Sequence, residues 1–201
     1  MTVSLISYGL GNLGSVMNML KRVGAEARLV SDPDEILASD RLLLPGIGAF
    51  DTGMGLLHEK GLVSAIKDFA ASGKPVLGIC LGMQLLLDGS EEGSEPGLGL
   101  IPGTSIRFPD QPDLRVPHMG WNIMQPVRDD ALVAGLEPES RFYFVHSYKV
   151  VPQRELDVLG TTSYGGTFAS MIRSKNVMGA QYHPEKSHDF GKRILKNFAE
   201  L

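Results

Sequence analysis

The chain has 201 residues, 43% of them hydrophobic, a net charge of −4 at neutral pH and a single cysteine. No run of Lys or Arg gives the basic footprint of a nucleic-acid binder, and no apolar stretch reaches the ~20 residues of a membrane span. One cysteine excludes an internal disulfide and any multi-cysteine zinc site, so a single-domain protein of a reducing cytoplasm is expected, spanning residues 1–201.

The N-terminal run Met1 to Ile6 carries no secretory pattern, and Val3 to Ser7 reads as a first buried strand. Gly9, Gly11 and Gly14 follow it in G-x-G-x-x-G spacing, and Asp32 stands 18 residues past the last glycine, after a second strand over Ala27 to Val30. That imitates a dinucleotide-binding fingerprint, with Asp32 in the place of the ribose-binding acid, although the same glycines serve any tight turn from strand to helix. A helix over Ser15 to Val23 is closed by Gly24. Arg41 to Leu44 is a third strand, and Pro45-Gly46-Ile47-Gly48 after it is flexible enough to present or reorient backbone N–H groups. Gly61 to Ser72 has helical spacing.

Pro75 to Gln84 then reads as a short apolar strand turning sharply into a helix, with Cys80 at the turn and Gly78 and Gly82 on either side of it. This is the nucleophile-elbow pattern with Cys in place of Ser. The turn lifts the side chain above the strand, and the helix N-terminus favours negative charge there. Read blandly, the same stretch is a buried cysteine in an ordinary βα unit. The alternation of strands and helices to this point predicts a mostly parallel sheet covered on both faces.

Beyond Leu87 the chain changes character. Asp88 to Pro102 reads as loop, and short strands are expected over Ser105 to Phe108, Asn122 to Met124, Phe142 to Val145, Val158 to Thr162 and Phe168 to Ile172, with antiparallel or mixed pairing. Two polar islands, Pro117 to Asn122 and Tyr143 to Tyr148, interrupt them. A last strand is expected to end at His183, where Pro184 keeps His183 extended and the i, i+2 spacing lets Glu185 turn back towards it. An imidazole with an orienting carboxylate supplies the two members that a cysteine nucleophile lacks. His58 reads as a helix-end residue and His188 as the start of a final helix over Asp189 to Leu201. No H-E-x-x-H motif or carboxylate cluster is present, so neither a metal site nor a cofactor is expected.

Gly78 to Gln84 together with Tyr182-His183-Pro184-Glu185 resembles the class I (triad) glutamine amidotransferases. The segments Tyr8 to Asn12, Pro45 to Phe50, Pro117 to Asn122, Tyr143 to Tyr148 and Gln181 to Ser187 narrow the resemblance to the glutaminase subunits of imidazole glycerol phosphate synthases. It covers essentially the whole chain. It implies a flavodoxin-like three-layer α/β fold with an antiparallel β extension, and a catalytic triad of Cys80, His183 and Glu185. It also implies oxyanion donors at Ile47 and Leu81, the former after a backbone rearrangement, and glutamine contacts at Gly48, Gln84, His146, Ser147 and Tyr148. Asn12, Trp121 and Lys186 match positions that face a (β/α)8-barrel cyclase subunit, which receives the ammonia. On this reading the glycines after the first strand serve partner contact. Three other readings stay open: a glutaminase feeding another synthase, a cysteine hydrolase of related fold, and a nucleotide-binding module using Gly9, Gly11, Gly14 and Asp32. Glutamine protection of Cys80 from alkylation would separate the glutaminases from the hydrolase, and NAD binding that survives Cys80→Ala would favour the last.

Overall fold

The computed structural model describes residues 2–201. Its first half alternates strands and helices: β1 (Thr2–Ile6), α1 (Leu13–Arg22), β2 (Glu26–Val30), α2 (Pro33–Leu37), β3 (Arg41–Gly46), α3 (Phe50–Glu59), α4 (Leu62–Ala71), β4 (Val76–Cys80) and α5 (Leu81–Leu85). The second half is strand-rich: β5 (Gly89–Ser90), β6 (Gly103–Arg107), β7 (His118–Ile123), β8 (Gln125–Pro126), β9 (Arg141–His146), β10 (Tyr148–Pro152), β11 (Val158–Ser163), β12 (Thr167–Ser174) and β13 (Val177–Ala180), closed by α6 (His188–Glu200).

The main sheet runs β2-β1-β3-β4-β13-β12-β10-β6-β5, with β11 paired to β12 and β8 paired to β11. Its β2-β1-β3-β4-β13 portion is parallel, and pairing becomes antiparallel from β13 to β12, β10 and β6. Side chains of β3 alternate between faces: Leu42 and Leu44 join one hydrophobic cluster with helices α2 to α4, and Leu43 joins a second with α1 and α6. Strands β7 and β9 form a separate antiparallel pair whose inward residues, Phe142 and Phe144 among them, enlarge the second cluster.

The sequence expectations need several corrections. The island Pro117 to Asn122 is not an interruption: His118 onward is strand β7, which replaces the shorter strand expected at Asn122 to Met124. The last parallel strand stops at Ala180 and not at His183, because Gln181 to His183 leave the sheet and Pro184 opens a short 3-10 turn over Pro184–Lys186. Helix α3 is absent from the sequence expectation because Gly53 and Gly55 weaken its propensity. Gly53 is there because a Cβ would come within 3.1 Å of Leu85 on α5. Helix α2, capped by the Asp32 side chain on the N–H of Asp34, and strand β10 are further elements beyond the expectation.

The register explains why distant segments meet. Gly46 of β3 pairs with Cys80 of β4, and Ala180 of β13 pairs with Ile79. The carboxyl ends of three adjacent parallel strands therefore bring Pro45 to Gly48, Cys80 and Gln181 to Glu185 to one edge of the sheet, where open α/β sheets place their ligands.

Candidate active site

Cys80 ends β4 with φ 54° and ψ −111°, a left-handed conformation that a side chain rarely adopts, and it directly precedes α5. The elbow is held by close packing. A Cβ on Gly82 would lie 1.9 Å from the Leu44 carbonyl oxygen, and one on Gly78 would lie 2.5 Å from the Gly82 carbonyl oxygen. Neither position accepts any other residue without moving backbone, so the strained cysteine is fixed by its neighbours. The thiol is 7% exposed, with the Val145 carbonyl at 3.9 Å and Gln181 Nε2 donating at 3.8 Å.

His183 and Glu185 come from the turn after β13. His183 Nδ1 lies 2.9 Å from Glu185 Oε1, and both side chains are 2% exposed. The Tyr143 carbonyl accepts the His183 N–H, and Ser187 Oγ donates to the His183 carbonyl, so the turn is tied to β9 and to the start of α6. Burial pushes the imidazole pKa down, but the neighbouring Cys80 and the hydrogen-bonded Glu185, with the charges of both, push it up further, to about 10. His183 Nε2 is buried on the Cys80 side without a well-formed hydrogen bond. Such looseness is usual for a catalytic pair before substrate tightens it.

A cavity of ≈ 310 Å³ opens over this pair, lined by Ile47, Gly48, Cys80, Leu81, Gln84 and His183. His146, Ser147 and Tyr148 complete the lining with Val145, Pro117 and Glu92. Every candidate catalytic, oxyanion and glutamine-contact residue therefore borders this one cavity, apart from Glu185, which stands behind His183. Gly48 takes φ 107°, and Ile47 beside it is 47% exposed. Just upstream the chain is firmly held: buried Tyr8 donates its hydroxyl to the Pro45 carbonyl at 2.9 Å, and a Cβ on Gly46 would meet Gly82 N at 2.8 Å. Burial, then the charge of Cys80, raises the Tyr8 pKa, so the hydroxyl remains a donor.

Two cavity residues escaped the sequence reading. Gln181 is fully buried and bridges Gln84 Nε2, at 3.2 Å from its Oε1, to the Cys80 sulfur. Its only signal was its place at the head of the His183 motif. Glu92 lies in the expected loop, and its Oε2 accepts the Phe50 N–H at the start of α3. The stretch of charged and small residues around it gave no sign that it would reach the cavity.

Trp121 is 47% exposed, stacked on His188 with ring centroids 5.2 Å apart and edge-on to Tyr143. Lys186 places its Nζ over the Tyr143 ring. Asn12 is exposed and caps α1 by accepting the Ser15 N–H. Helix α1 packs against α6 and the Pro184–Lys186 turn. Asp32 is occupied in capping α2, and Gly11 packs its backbone against Pro45, so these two residues of the nucleotide reading are engaged in local structure. Among the described residues no group of three or more His, Cys, Asp or Glu side chains is arranged to hold a metal ion, and no helix is long and apolar enough to cross a membrane.

An elbow cysteine faces a His–Glu pair from the turn after the next parallel strand, an arrangement suited to nucleophilic attack, and residues 4–201 match the family described as glutamine amidotransferase class-I. The chain belongs to that family, and it is a glutamine-hydrolysing enzyme. Its relatives are narrower in name. It is 54% identical over 198 residues to the imidazole glycerol phosphate synthase subunit HisH of Streptococcus sanguinis (strain SK36), covering 98% of this chain and 94% of that one. It is 48% identical over 200 residues to subunit HisH 2 of Pseudomonas aeruginosa, covering 99% of each. A solved glutamine amidotransferase superposes with a TM-score of 0.74 at 22% identity, covering 99% of each chain. The PurLQS structure from Thermotoga maritima superposes with a TM-score of 0.72 at 18% identity, covering 99% of this chain and 97% of that one. At those identities the superpositions speak for the fold alone.

Proposed function

We propose that this chain is the glutaminase subunit of an imidazole glycerol phosphate synthase and works in the cytoplasm. The observation that carries the reading is the joint placement of Cys80, the His183–Glu185 pair and a polar wall around one cavity of ≈ 310 Å³, in a chain about half identical to HisH subunits over its whole length.

Cys80 attacks the side-chain carbonyl carbon of glutamine while His183 takes the thiol proton. The tetrahedral oxyanion is met by the N–H of Leu81 at the head of α5 and, once the segment reorients, by that of Ile47. His183 returns the proton to the nitrogen, the C–N bond breaks and ammonia leaves. Water then attacks the glutamyl thioester, His183 takes its proton, and glutamate departs with the thiol restored. Glu185 holds the ring in the tautomer this sequence needs. Gly48, Gln84, His146, Ser147 and Tyr148 hold the glutamine, and Glu92, the carboxylate on the cavity wall, suits its ammonium group. The ammonia passes to a (β/α)8-barrel cyclase subunit that forms imidazole glycerol phosphate and AICAR, and Asn12, Trp121 and Lys186 face that subunit.

An efficient free-standing glutaminase would waste glutamine. The exposed Ile47–Gly48 segment, beyond the point where Tyr8 and Gly46 hold the chain, is a natural place to withhold an oxyanion donor until the partner binds. The test is glutamate release from glutamine by the chain alone and with a purified cyclase subunit plus its ribonucleotide ligand. Strong stimulation, abolished in Cys80→Ala, is expected. Full activity in the isolated chain would overturn the withholding step, and no release under either condition would overturn the assignment.

A further inference from the structure

Two buried histidines are not employed as acid or base in the chemistry above: His146, which lines the cavity, and His118, which is joined to it. His118 is 3% exposed and His146 6%, packed among Phe108, Phe144, Tyr164 and Phe168. They form an ordered chain. His146 Nδ1 lies 2.7 Å from the Tyr148 carbonyl oxygen, which only accepts, so Nδ1 carries a proton. His118 Nδ1 lies 3.0 Å from His146 Nε2, and Asn122 Nδ2 lies 3.2 Å from His118 Nε2. Asn122 cannot reverse its amide, because Oδ1 accepts the Ile123 N–H at 2.8 Å and Nδ2 also donates to the Ser163 carbonyl at 3.0 Å. Read from both ends, the proton positions are determined: Asn122 donates to His118, His118 donates from Nδ1 to His146, and His146 donates from Nδ1 to Tyr148.

The chain continues into the catalytic centre. The same Tyr148 carbonyl accepts from Gln84 Nε2 at 3.3 Å, Gln84 is joined to Gln181, and Gln181 donates to the Cys80 sulfur. Strand β7 supplies both outer members, His118 and Asn122, on its inner face, while Met119 and Trp121 on its outer face are 62% and 47% exposed. Burial lowers the pKa of both rings, to about 4 for His118 and about 3 for His146, where burial is the largest of several influences. Both rings are therefore neutral at physiological pH, as an alternating donor–acceptor chain requires.

We propose that His118 and Asn122 are positioning residues of the glutamine pocket, which hold His146 in a single tautomer and so fix the Tyr148 wall against which substrate and Cys80 are aligned. The inference rests on the reading of this cavity as a glutamine site. It gives the Pro117-to-Asn122 segment an inward task beside its exposed Met119–Trp121 face.

Two measurements test it. The first needs no activity: ring ¹H–¹⁵N correlation spectra of the native chain should show His118 and His146 neutral and protonated at Nδ1 at pH 7. An Nε2–H tautomer or an imidazolium in either ring would overturn the ordered chain. The second is steady-state kinetics of glutamine hydrolysis in the complex with the cyclase subunit. His118→Phe keeps the ring stacking and leaves the His146 Nε2 acceptor unpaired in a buried site, and it should raise KM for glutamine about tenfold with a smaller change in kcat. His118→Asn, which restores a donor near the Nδ1 position, should return KM to within about twofold of native, and His118→Gln, whose amide sits near the Nε2 position, should not. A native KM in His118→Phe, or equal effects of Asn and Gln, would overturn the positioning role while leaving the glutaminase reading intact. A native complex that hydrolyses no glutamine would overturn both.

Discussion

Two glycine-rich turns join a parallel strand to a helix in this molecule, and they use glycine for opposite reasons. After β1, Gly9 and Gly11 take φ of 111° and 101°, so the glycines absorb the unusual conformation and no side-chain-bearing residue is strained there. After β4 the unusual conformation falls on Cys80, while Gly78 and Gly82 are needed because neighbouring backbone lies where their side chains would be. The first turn is relaxed geometry and the second is strain imposed by packing. That contrast separates a connecting loop from a reactive one, and it is invisible in the spacing of the glycines alone.

The buried histidines make the same point about partners. Burial presses all three pKa values down. His183 alone faces a carboxylate and the Cys80 thiol, and its pKa rises to about 10 where the others fall to about 4 and 3. Replacing Glu185 by Gln breaks this contrast with the largest expected effect. The amide offers no charge and can donate to Nδ1, which favours the wrong tautomer, so kcat for glutamine hydrolysis in the complex should fall by about 10³-fold or more. Because the folded pKa of His183 stands above the ordinary 6.5, the folded protein binds the extra proton, and that contribution is whole below about pH 6.5 and lost as pH rises towards about 10. The difference in Tm between the native chain and Glu185→Gln should therefore shrink across that window.

The elbow itself is tested by Gly82→Ala. A methyl group placed 1.9 Å from the Leu44 carbonyl oxygen forces α5 away from β3, and a loss of more than about 3 kcal/mol in urea unfolding is expected. Gly14→Ala, in the other turn's helix, has nothing within 4 Å of the new methyl group and should be neutral or gain up to about 1 kcal/mol. Equal effects of the two substitutions would remove the distinction between the turns. A smaller effect is expected from His118, whose folded pKa lies below the ordinary value. The unfolded chain then takes up the proton first, so native stability should fall more than that of His118→Phe as pH drops from about 6.5 to about 4.

The parallel half of the fold was legible because each strand is a short apolar run and each helix has its own punctuation, Gly24 and Gly73 among them. The candidate triad was legible as a motif because its spacing rules are local: glycines two residues either side of Cys80, and Pro184 between His183 and Glu185. What stayed hidden depends on long-range pairing. The inward side of β7 is set by its register with β9, His118 opposite His146, and no pattern within Pro117 to Asn122 announces a partner 28 residues away. Gln181 and Glu92 acquire their places from strand order and from a loop folding back on α3, neither of which has a periodic signal.

Asn12 offers the finest test of the comparison between the turns. Its side chain accepts the Ser15 N–H at 3.4 Å, a long capping bond, and Asn12→Ala should cost about 0.5–1 kcal/mol of stability. Residue 12 lies away from the cavity, so the isolated chain should keep its basal rate. If the turn after β1 serves only its helix, Asn12→Asp, which retains a capping oxygen, restores both stability and stimulation by the cyclase subunit. If the amide faces the partner, Asn12→Asp restores stability while stimulation or affinity stays reduced. Titration of the two variants with the cyclase subunit, read beside their urea curves, distinguishes these outcomes, because capping and partner contact draw on different atoms of the same side chain.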